Sequence, residues 1–300
     1  MTREKWKPGV DLRPMKPDPD DSRPIFVFAS GWRSGSTLLQ RLLCTHPDVM
    51  IWGENRGLVG HLAEGLGAVE SLQKWSERHR TLHAERGANA WIALLNPPVS
   101  ELMHGLRDLL LRYYAAPSLE EGATRWGFKE VRYDASVAEF LHQLFPEARF
   151  LFLVRHPSDC LASARGTTLG RRGLLVQSGG PQAFVDQWLR IVNSFHDAAA
   201  DLPHHLLLYE DLVAHPAAAT SALARFLDLD EHGFDQRVLD HVERGYEQPP
   251  RLDRADLRSL RTRRLWDTAA RCGYEPRPEL PSRSGWLERA RRSMRDRAKD

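Results

Sequence analysis

The stretch IFVFASGWRSGST, residues 25–37, decides the fold. Its apolar first half has the composition of a buried β-strand, breaks into a turn of Gly, Ser and Arg, and leads into an apolar-periodic helix, Leu38–Leu43. The backbone N–H groups of such a turn and the free N–H groups of the following helix converge on an anion. The sequence therefore predicts a loop that binds a phosphate group, and with it a nucleotide site.

This loop differs from a Walker A motif, which needs four residues between its glycines and then Gly-Lys-Ser/Thr. Here three residues separate Gly31 from Gly35, and Ser36 stands at the position of the lysine. The positive charge lies inside the loop instead, as Arg33. These departures weaken the interpretation of the chain as an ATPase or GTPase.

Composition limits the classes of protein to which the chain can belong. With 300 residues and 42% hydrophobic content the chain can bury a full core. No apolar run approaches the roughly 20 residues of a membrane-spanning helix, and a net charge of +2 gives no indication of a nucleic-acid partner. The scattered residues Cys44, Cys160 and Cys272 fit neither a disulfide framework nor a zinc site. We expect no metal.

The sequence predicts one domain with a segment at each end and a helical cap within it. Residues 1–24 are polar and Pro-rich, without the apolar region of a signal peptide, and predict a flexible leader and a cytoplasmic location. Residues 25–276 are expected to form one domain, followed by a basic tail at 277–300. A helical pattern without strands, from about 56 to 116, predicts a cap that walls a substrate pocket.

Short apolar strands alternate with helices along the domain. After the first strand, further strands are predicted at Val49–Trp52, Thr124–Phe128, Arg149–Val154 and Leu206–Tyr209. This alternation predicts an α/β fold of three layers, with a central parallel sheet and helices on both faces. The loops that follow the carboxyl ends of the strands should then carry the chemistry.

A second motif, FPEARFLFLVRHPSDCLAS, covers residues 145–163. Arg155 ends the predicted strand, and Ser163 lies two turns into the helix that follows, so both side chains can approach one point. An arginine can bind a phosphate bidentately, and the serine hydroxyl can add a second donor. An arginine at a strand end commonly forms a surface ion pair, but the anion loop upstream favours phosphate binding.

Together these motifs resemble those of sulfotransferases that use 3′-phosphoadenosine 5′-phosphosulfate, and the likeness spans about residues 25–230. The resemblance implies a fold like that of P-loop NTPases. It also implies roles for eight residues. The 5′-phosphosulfate would be held by the core Arg33, Ser34, Gly35, Ser36 and Thr37, the 3′-phosphate by Arg155 and Ser163, and the adenine would lie near Tyr209 of the segment LYEDL.

The catalytic base is assigned by a departure from one branch of this family. Many small-molecule sulfotransferases carry Lys-x-His at the end of the next strand, where this chain has Lys129-Glu130-Val131 and lacks the histidine. The segment HPDVMIWGEN, residues 46–55, resembles the Gly-Glu stretch of tyrosylprotein and some carbohydrate sulfotransferases, in which a Glu is the base. The resemblance implies that Glu54 is the base, with Glu130 in reserve.

Two cations complete the expected catalytic set. Arg33 and Lys129 would stabilise the charge that develops on the sulfuryl group and the departing phosphate. Two structural alternatives stay open: Glu54 could cap a helix that begins near Arg56, and Lys129 could form an ion pair with Glu130 or another acid.

The expected reaction is in-line transfer of a sulfuryl group to a hydroxyl of a small molecule, a carbohydrate or a peptidyl tyrosine, with adenosine 3′,5′-bisphosphate as product. A sulfuryl group carries less charge than a terminal phosphoryl group, so side-chain cations and N–H groups suffice without Mg²⁺. Two alternatives remain, a P-loop kinase and a non-catalytic nucleotide-binding module. The acceptor and the oligomeric state are left open.

Overall fold

The computed structural model describes residues 23–166, 173–198, 200–240 and 252–276. Of the predicted leader, residues 1–24, only the last two are described, and the predicted tail, 277–300, lies outside the described residues. Within the described part, no helix is both long enough and apolar enough to cross a membrane. The three cysteines are all described, and none of them forms a disulfide.

A five-stranded parallel sheet forms the centre of the molecule, in the order β2-β3-β1-β4-β5. The strands are β1 (Ile25–Ala29), β2 (Val49–Trp52), β3 (Arg125–Glu130), β4 (Arg149–Val154) and β5 (His204–Leu208). The first strand of the chain is therefore the middle strand of the sheet, and it pairs with β3 on one side and β4 on the other. The predicted parallel sheet is confirmed.

Helices cover both faces of this sheet. They are α1 (Ser36–Leu43), α2 (Leu58–Glu70), α3 (Gln73–Arg86), α4 (Val99–Leu110), α5 (Ala116–Glu120), α6 (Ala135–Leu144), α7 (Pro157–Arg165), α8 (Leu174–Gln177), α9 (Pro181–His196), α10 (Tyr209–Ala214), α11 (Pro216–Leu227), α12 (Arg254–Ser259) and α13 (Arg263–Arg271). A π-helical turn, Leu111–Ala115, joins α4 to α5.

The alternation of side chains along β1 creates two cores. Ile25 and Val27 pack with α1, α10 and α11, whereas Phe26 and Phe28 pack with α2, α4, α6, α7 and α9. Every residue of β1 is fully buried, because successive side chains point to opposite faces and both faces are covered. The run of apolar residues in the sequence is thus explained, and the predicted three layers are confirmed.

The stretch from 56 to 116 is fully described and consists of helices and connecting turns without a strand, as predicted. Its helices also contribute to the core, because Val59 and Leu66 of α2 and Leu106 and Leu110 of α4 are buried against the sheet. Helices α2 and α4 therefore form part of one helical layer, and the role of the stretch as a cap over a substrate pocket stays a prediction.

Two predicted strands have different bounds in the structure. The third strand extends to Glu130, so Lys129 and Glu130 lie inside it, because β1 pairs with both of them through Val27 and Phe28. The last strand ends at Leu208, and Tyr209 begins α10. It starts at His204, two residues earlier than predicted, because pairing with β4 holds a polar pair of histidines that the apolar pattern omitted.

Gly127 is expected to be essential for pairing β3 with β1. A Cβ at this position would lie 1.7 Å from the carbonyl oxygen of Ile25, a backbone atom that cannot move without breaking the pairing. We expect Gly127→Ala to lower the free energy of unfolding by about 3 kcal/mol or more, the upper range for overpacking, measured by urea denaturation.

The matched control is Gly65→Ala in α2, where nothing lies within 4 Å of the added Cβ. This substitution should be neutral or stabilise the protein by about 0.4–1 kcal/mol. Equal stability of the two variants would contradict the close approach of β3 to β1.

Candidate active site

The loop between β1 and α1 is built on three residues with left-handed backbone conformations. Their φ angles are 121° at Gly31, 66° at Arg33 and 91° at Gly35. A positive φ is uncommon for a residue other than glycine, and at Arg33 it marks a turn held by its surroundings. The buried Ser34 closes the turn, because its hydroxyl donates to the carbonyl oxygen of Gly31 at 2.8 Å.

The amino end of α1 opens onto this turn. Gly35 is the N-cap and offers no side chain to the first N–H groups of the helix, of which Ser36 is the first residue. These N–H groups and the positive end of the helix dipole are therefore available to an anion. Ser36 is buried, whereas Thr37 is exposed.

Tyr209 packs directly on the loop. A Cβ added to Gly35 would lie 2.2 Å from a ring carbon of Tyr209, so the ring and the loop backbone can come this close only because residue 35 is a glycine. The guanidinium of Arg155 also lies over the ring of Tyr209, 4.3 Å from the ring centroid.

The two predicted anion motifs meet at this point. Arg155 donates from Nη1 to the carbonyl oxygen of Arg33 at 2.9 Å, and Arg33 donates from Nε to the hydroxyl of Ser163 at 3.0 Å. The backbone N–H of Arg155 also donates to Ser30 at the end of β1, at 3.3 Å. The structure therefore brings the predicted 5′ and 3′ anion sites side by side, although Arg33 and Ser163 are 130 positions apart.

A second cluster lies at the carboxyl ends of β2 and β3. Glu54 follows β2, and its Oε1 lies 2.6 Å from Nζ of Lys129 in β3. Its other oxygen, Oε2, accepts from Nη1 of Arg132 at 3.1 Å. Partial burial raises the pKa of Glu54, but the hydrogen bond and charge of Lys129, with those of Arg132, outweigh this effect and hold it below its ordinary value.

This geometry decides both structural alternatives for Glu54 and Lys129. Glu54 does not cap α2, which begins at Leu58 after the N-cap Gly57, since both of its carboxylate oxygens are directed at cations. Lys129 does form an ion pair, and its partner is the predicted base itself rather than Glu130.

Glu130 is poorly placed to act as a base. Its side chain is fully buried, and its oxygens accept from Arg132 at 2.6 Å, from the N–H of Val131 at 2.9 Å and from the N–H of Gly57 at 3.3 Å. An acceptor hydroxyl has no open path to this carboxylate. We therefore favour Glu54 over Glu130.

Two sets of residues near the site were not predicted. Arg132 bridges Glu54 and Glu130, and it belongs to no motif from which this role could have been predicted. Behind Tyr209, the partly buried Glu210 accepts from the N–H of His156 at 3.1 Å and from the hydroxyl of Tyr274 at 2.6 Å. Burial raises the pKa of Glu210 in spite of these two hydrogen bonds. Glu210 lies in the segment LYEDL, which had already been singled out for Tyr209, so this segment could have drawn attention to the glutamate.

Arg165 has a structural role. It lies at the end of α7, two residues beyond Ser163, and forms ion pairs with Asp253 and Asp256 at the amino end of α12. Asp253 and Asp256 also form a capping box that fixes this end of the helix. The pairs fasten residues 252–276 to the helix that carries Ser163, so Arg165 is not a free phosphate ligand.

In the described part of the chain, no group of three or more His, Cys, Asp or Glu side chains has an arrangement suited to a metal ion. The charges at the site come instead from Arg33, Lys129, Arg132 and Arg155, together with the helix dipole of α1. Such an array can bind two anionic groups and place a carboxylate beside them.

Comparison with known sequences gives the family. A model of the Sulfotransferase family matches residues 24–233, more than half of the chain. Protein-tyrosine sulfotransferase 1 of Danio rerio is 25% identical over 225 residues, which are 73% of this chain and 56% of that protein. The protein-tyrosine sulfotransferase of Drosophila melanogaster is 23% identical, over 73% of this chain and 40% of its own length. The chain thus spans about half the length of these relatives.

Solved structures are more distant. The sulfotransferase domain from the curacin biosynthetic pathway is 20% identical, with a TM-score of 0.46 over 85% of this chain and 99% of that domain. The sulfotransferase domain of the Synechococcus PCC 7002 olefin synthase is 22% identical, with the same TM-score over 97% of this chain and 98% of that domain. Superpositions this loose add nothing to the fold described above.

Proposed function

Because the chain belongs to the Sulfotransferase family, we propose that it transfers a sulfuryl group from 3′-phosphoadenosine 5′-phosphosulfate to an acceptor hydroxyl, without a metal ion. One observation carries this proposal beyond family membership. Arg33 and Arg155 come from two distant motifs; Arg155 donates to the carbonyl oxygen of Arg33, and the side chain of Arg33 donates to Ser163. Two anion sites this close suit a nucleotide with phosphates on both its 3′ and 5′ positions.

The nucleotide would be held at both of these sites. The N–H groups of the loop and of the amino end of α1, with Arg33, would bind the 5′-phosphosulfate through the core Ser34, Gly35, Ser36 and Thr37. Arg155 and Ser163 would bind the 3′-phosphate, and Tyr209 would lie near the adenine. On binding, the guanidinium of Arg33 would exchange its bond to Ser163 for one to the donor.

In the chemical step, the acceptor oxygen attacks the sulfur and the bond between the sulfur and the 5′-phosphate oxygen breaks. Glu54 takes the proton of the acceptor hydroxyl, while Lys129 and Arg33 stabilise the negative charge on the sulfuryl and phosphate oxygens. The products are the sulfated acceptor and adenosine 3′,5′-bisphosphate. In this scheme Lys129 has two partners, Glu54 before the donor binds and the sulfuryl group afterwards.

The acceptor is proposed from the relatives. Those matched in sequence are named protein-tyrosine sulfotransferases, which favours a tyrosine of a protein or peptide as the acceptor. A small molecule or a carbohydrate is the other acceptor class that the motifs allow. The cytoplasmic location stays a prediction.

Nucleotide binding gives the first test of the proposal. We expect adenosine 3′,5′-bisphosphate to bind in EDTA more tightly than ATP binds with Mg²⁺, measured by isothermal titration calorimetry. Arg155→Ala should weaken this binding about 10- to 100-fold, since a hydrogen bond to a charged group contributes about 1.5–3 kcal/mol.

The matched control is Arg149→Ala, an arginine removed from the opposite end of the same strand. It should bind adenosine 3′,5′-bisphosphate as the wild type does, and melting curves establish that both variants fold. Preference for ATP with Mg²⁺ would instead favour a P-loop kinase.

Turnover separates an enzyme from a non-catalytic nucleotide-binding module. We expect Glu54→Gln to reduce sulfuryl transfer to a tyrosine peptide at least about 100-fold, because the amide cannot accept the proton. Binding of adenosine 3′,5′-bisphosphate should be retained. The reaction is followed by the release of this product.

Glu64→Gln provides the control, since Glu64 is an exposed residue of α2 whose only polar contact in the described structure is His61. It should leave the rate unchanged. A Glu54→Gln variant as active as Glu64→Gln would show that Glu54 is not the base.

A further inference from the structure

Arg132 connects two carboxylates, of which one is fully buried and the other is partly exposed. Its Nη1 donates to Oε2 of Glu54 at 3.1 Å and to Oε1 of Glu130 at 2.6 Å. Glu130 is fully buried in β3 and is fixed by two backbone N–H groups, whereas Glu54 is about 29% exposed at the end of β2. One guanidinium nitrogen therefore links the partly exposed carboxylate of Glu54 to the buried carboxylate of Glu130.

The guanidinium is also supported by an aromatic ring. It lies 5.5 Å from the ring centroid of Trp32, the residue before Arg33 in the anion loop, and Trp32 packs near Phe184 of α9. Trp32 and Glu130 thus hold Arg132 independently of Glu54. Arg132 can keep its position when the contacts of Glu54 change.

We propose that Arg132 is a positioning residue that keeps the Glu54 carboxylate oriented toward the acceptor when Lys129 turns to the sulfuryl group. This inference rests on the proposed function, in which Glu54 is the base. In the resting structure Lys129 is the nearer partner of Glu54, at 2.6 Å. Once the donor draws Lys129 away, Arg132 would still contact the Glu54 carboxylate.

The arrangement of charged groups around Glu54 requires an arginine, rather than another cation, to orient its carboxylate. Lys129 faces it from β3, Arg132 from the turn after β3, and Glu130 lies behind Arg132. A lysine at position 132 would restore a positive charge, but its compact ammonium group cannot reproduce a planar guanidinium that spans two carboxylates and stacks on a ring. Charge and orientation can therefore be separated by substitution.

The test compares Arg132→Gln and Arg132→Lys over a range of pH. Because an ionised Glu54 is needed, activity falls as pH drops through its pKa, and loss of a neighbouring positive charge raises that pKa. We expect Arg132→Gln to move the acid limb of the kcat profile to higher pH and to lower kcat on the order of 10- to 100-fold at its plateau, as for a displaced catalytic group. Arg132→Lys should restore the acid limb while kcat stays low.

The matched control is Arg107→Gln, which removes the same charge from another arginine that lies over an aromatic ring, Phe145, away from the site. It should change neither the acid limb nor kcat. A purely structural role for Arg132 would lower the melting temperature and leave the acid limb where it is in the wild type, which would overturn the inference.

A second measurement separates this inference from the proposed function. The ¹³C resonance of the Glu54 carboxyl, identified by its loss in Glu54→Gln, reports the pKa of Glu54 without any turnover. It should titrate at higher pH in Arg132→Gln than in the wild type. If that shift occurs but Glu54→Gln remains active, the proposed base fails while the contact of Arg132 stands; if no shift occurs, the inference about Arg132 fails.

Discussion

The hydrogen bond from Arg155 to the carbonyl oxygen of Arg33 is the contact on which the site depends. It joins the end of β4 to the loop after β1, two neighbouring strands at the centre of the sheet. The left-handed turn at Arg33 places that carbonyl within reach, and the absence of a side chain at Gly35 lets Tyr209 pack beneath Arg155. A strained loop and a partly buried arginine therefore stabilise each other, and both are positioned to contact an anion.

The cluster around Glu54 is stabilised mainly by the balance of its positive and negative charges. Two carboxylates and two cations lie together at the ends of β2 and β3, and each carboxylate contacts at least one cation. The low pKa of Glu54 in this arrangement keeps it ionised but makes it a weak base. Departure of Lys129 toward an anionic donor would raise its basicity at the moment when a proton must be taken, which couples donor binding to catalysis.

The strands of the sheet and the turn after the first strand could be predicted from the sequence, because each leaves a local pattern of residues. The apolar run Ile25–Ala29 and the glycines after it already mark a strand and a turn in the sequence, although Arg155 and Tyr209 hold the turn in the folded chain. The extension of β3 to Glu130 could not be predicted, because pairing with β1 determines it. The same holds for Arg132 and Tyr274, whose partners Glu54 and Glu210 are distant in sequence and are brought near by the order of the strands.

The central claim is that the loop after β1 and the end of β4 form two halves of one nucleotide site. A crystal structure with adenosine 3′,5′-bisphosphate tests it most directly. We expect the 5′-phosphate against the N–H groups of residues 31–37 and the 3′-phosphate against Arg155 and Ser163. A nucleotide bound elsewhere, or one that contacts the loop while its 3′-phosphate avoids Arg155 and Ser163, would contradict the account.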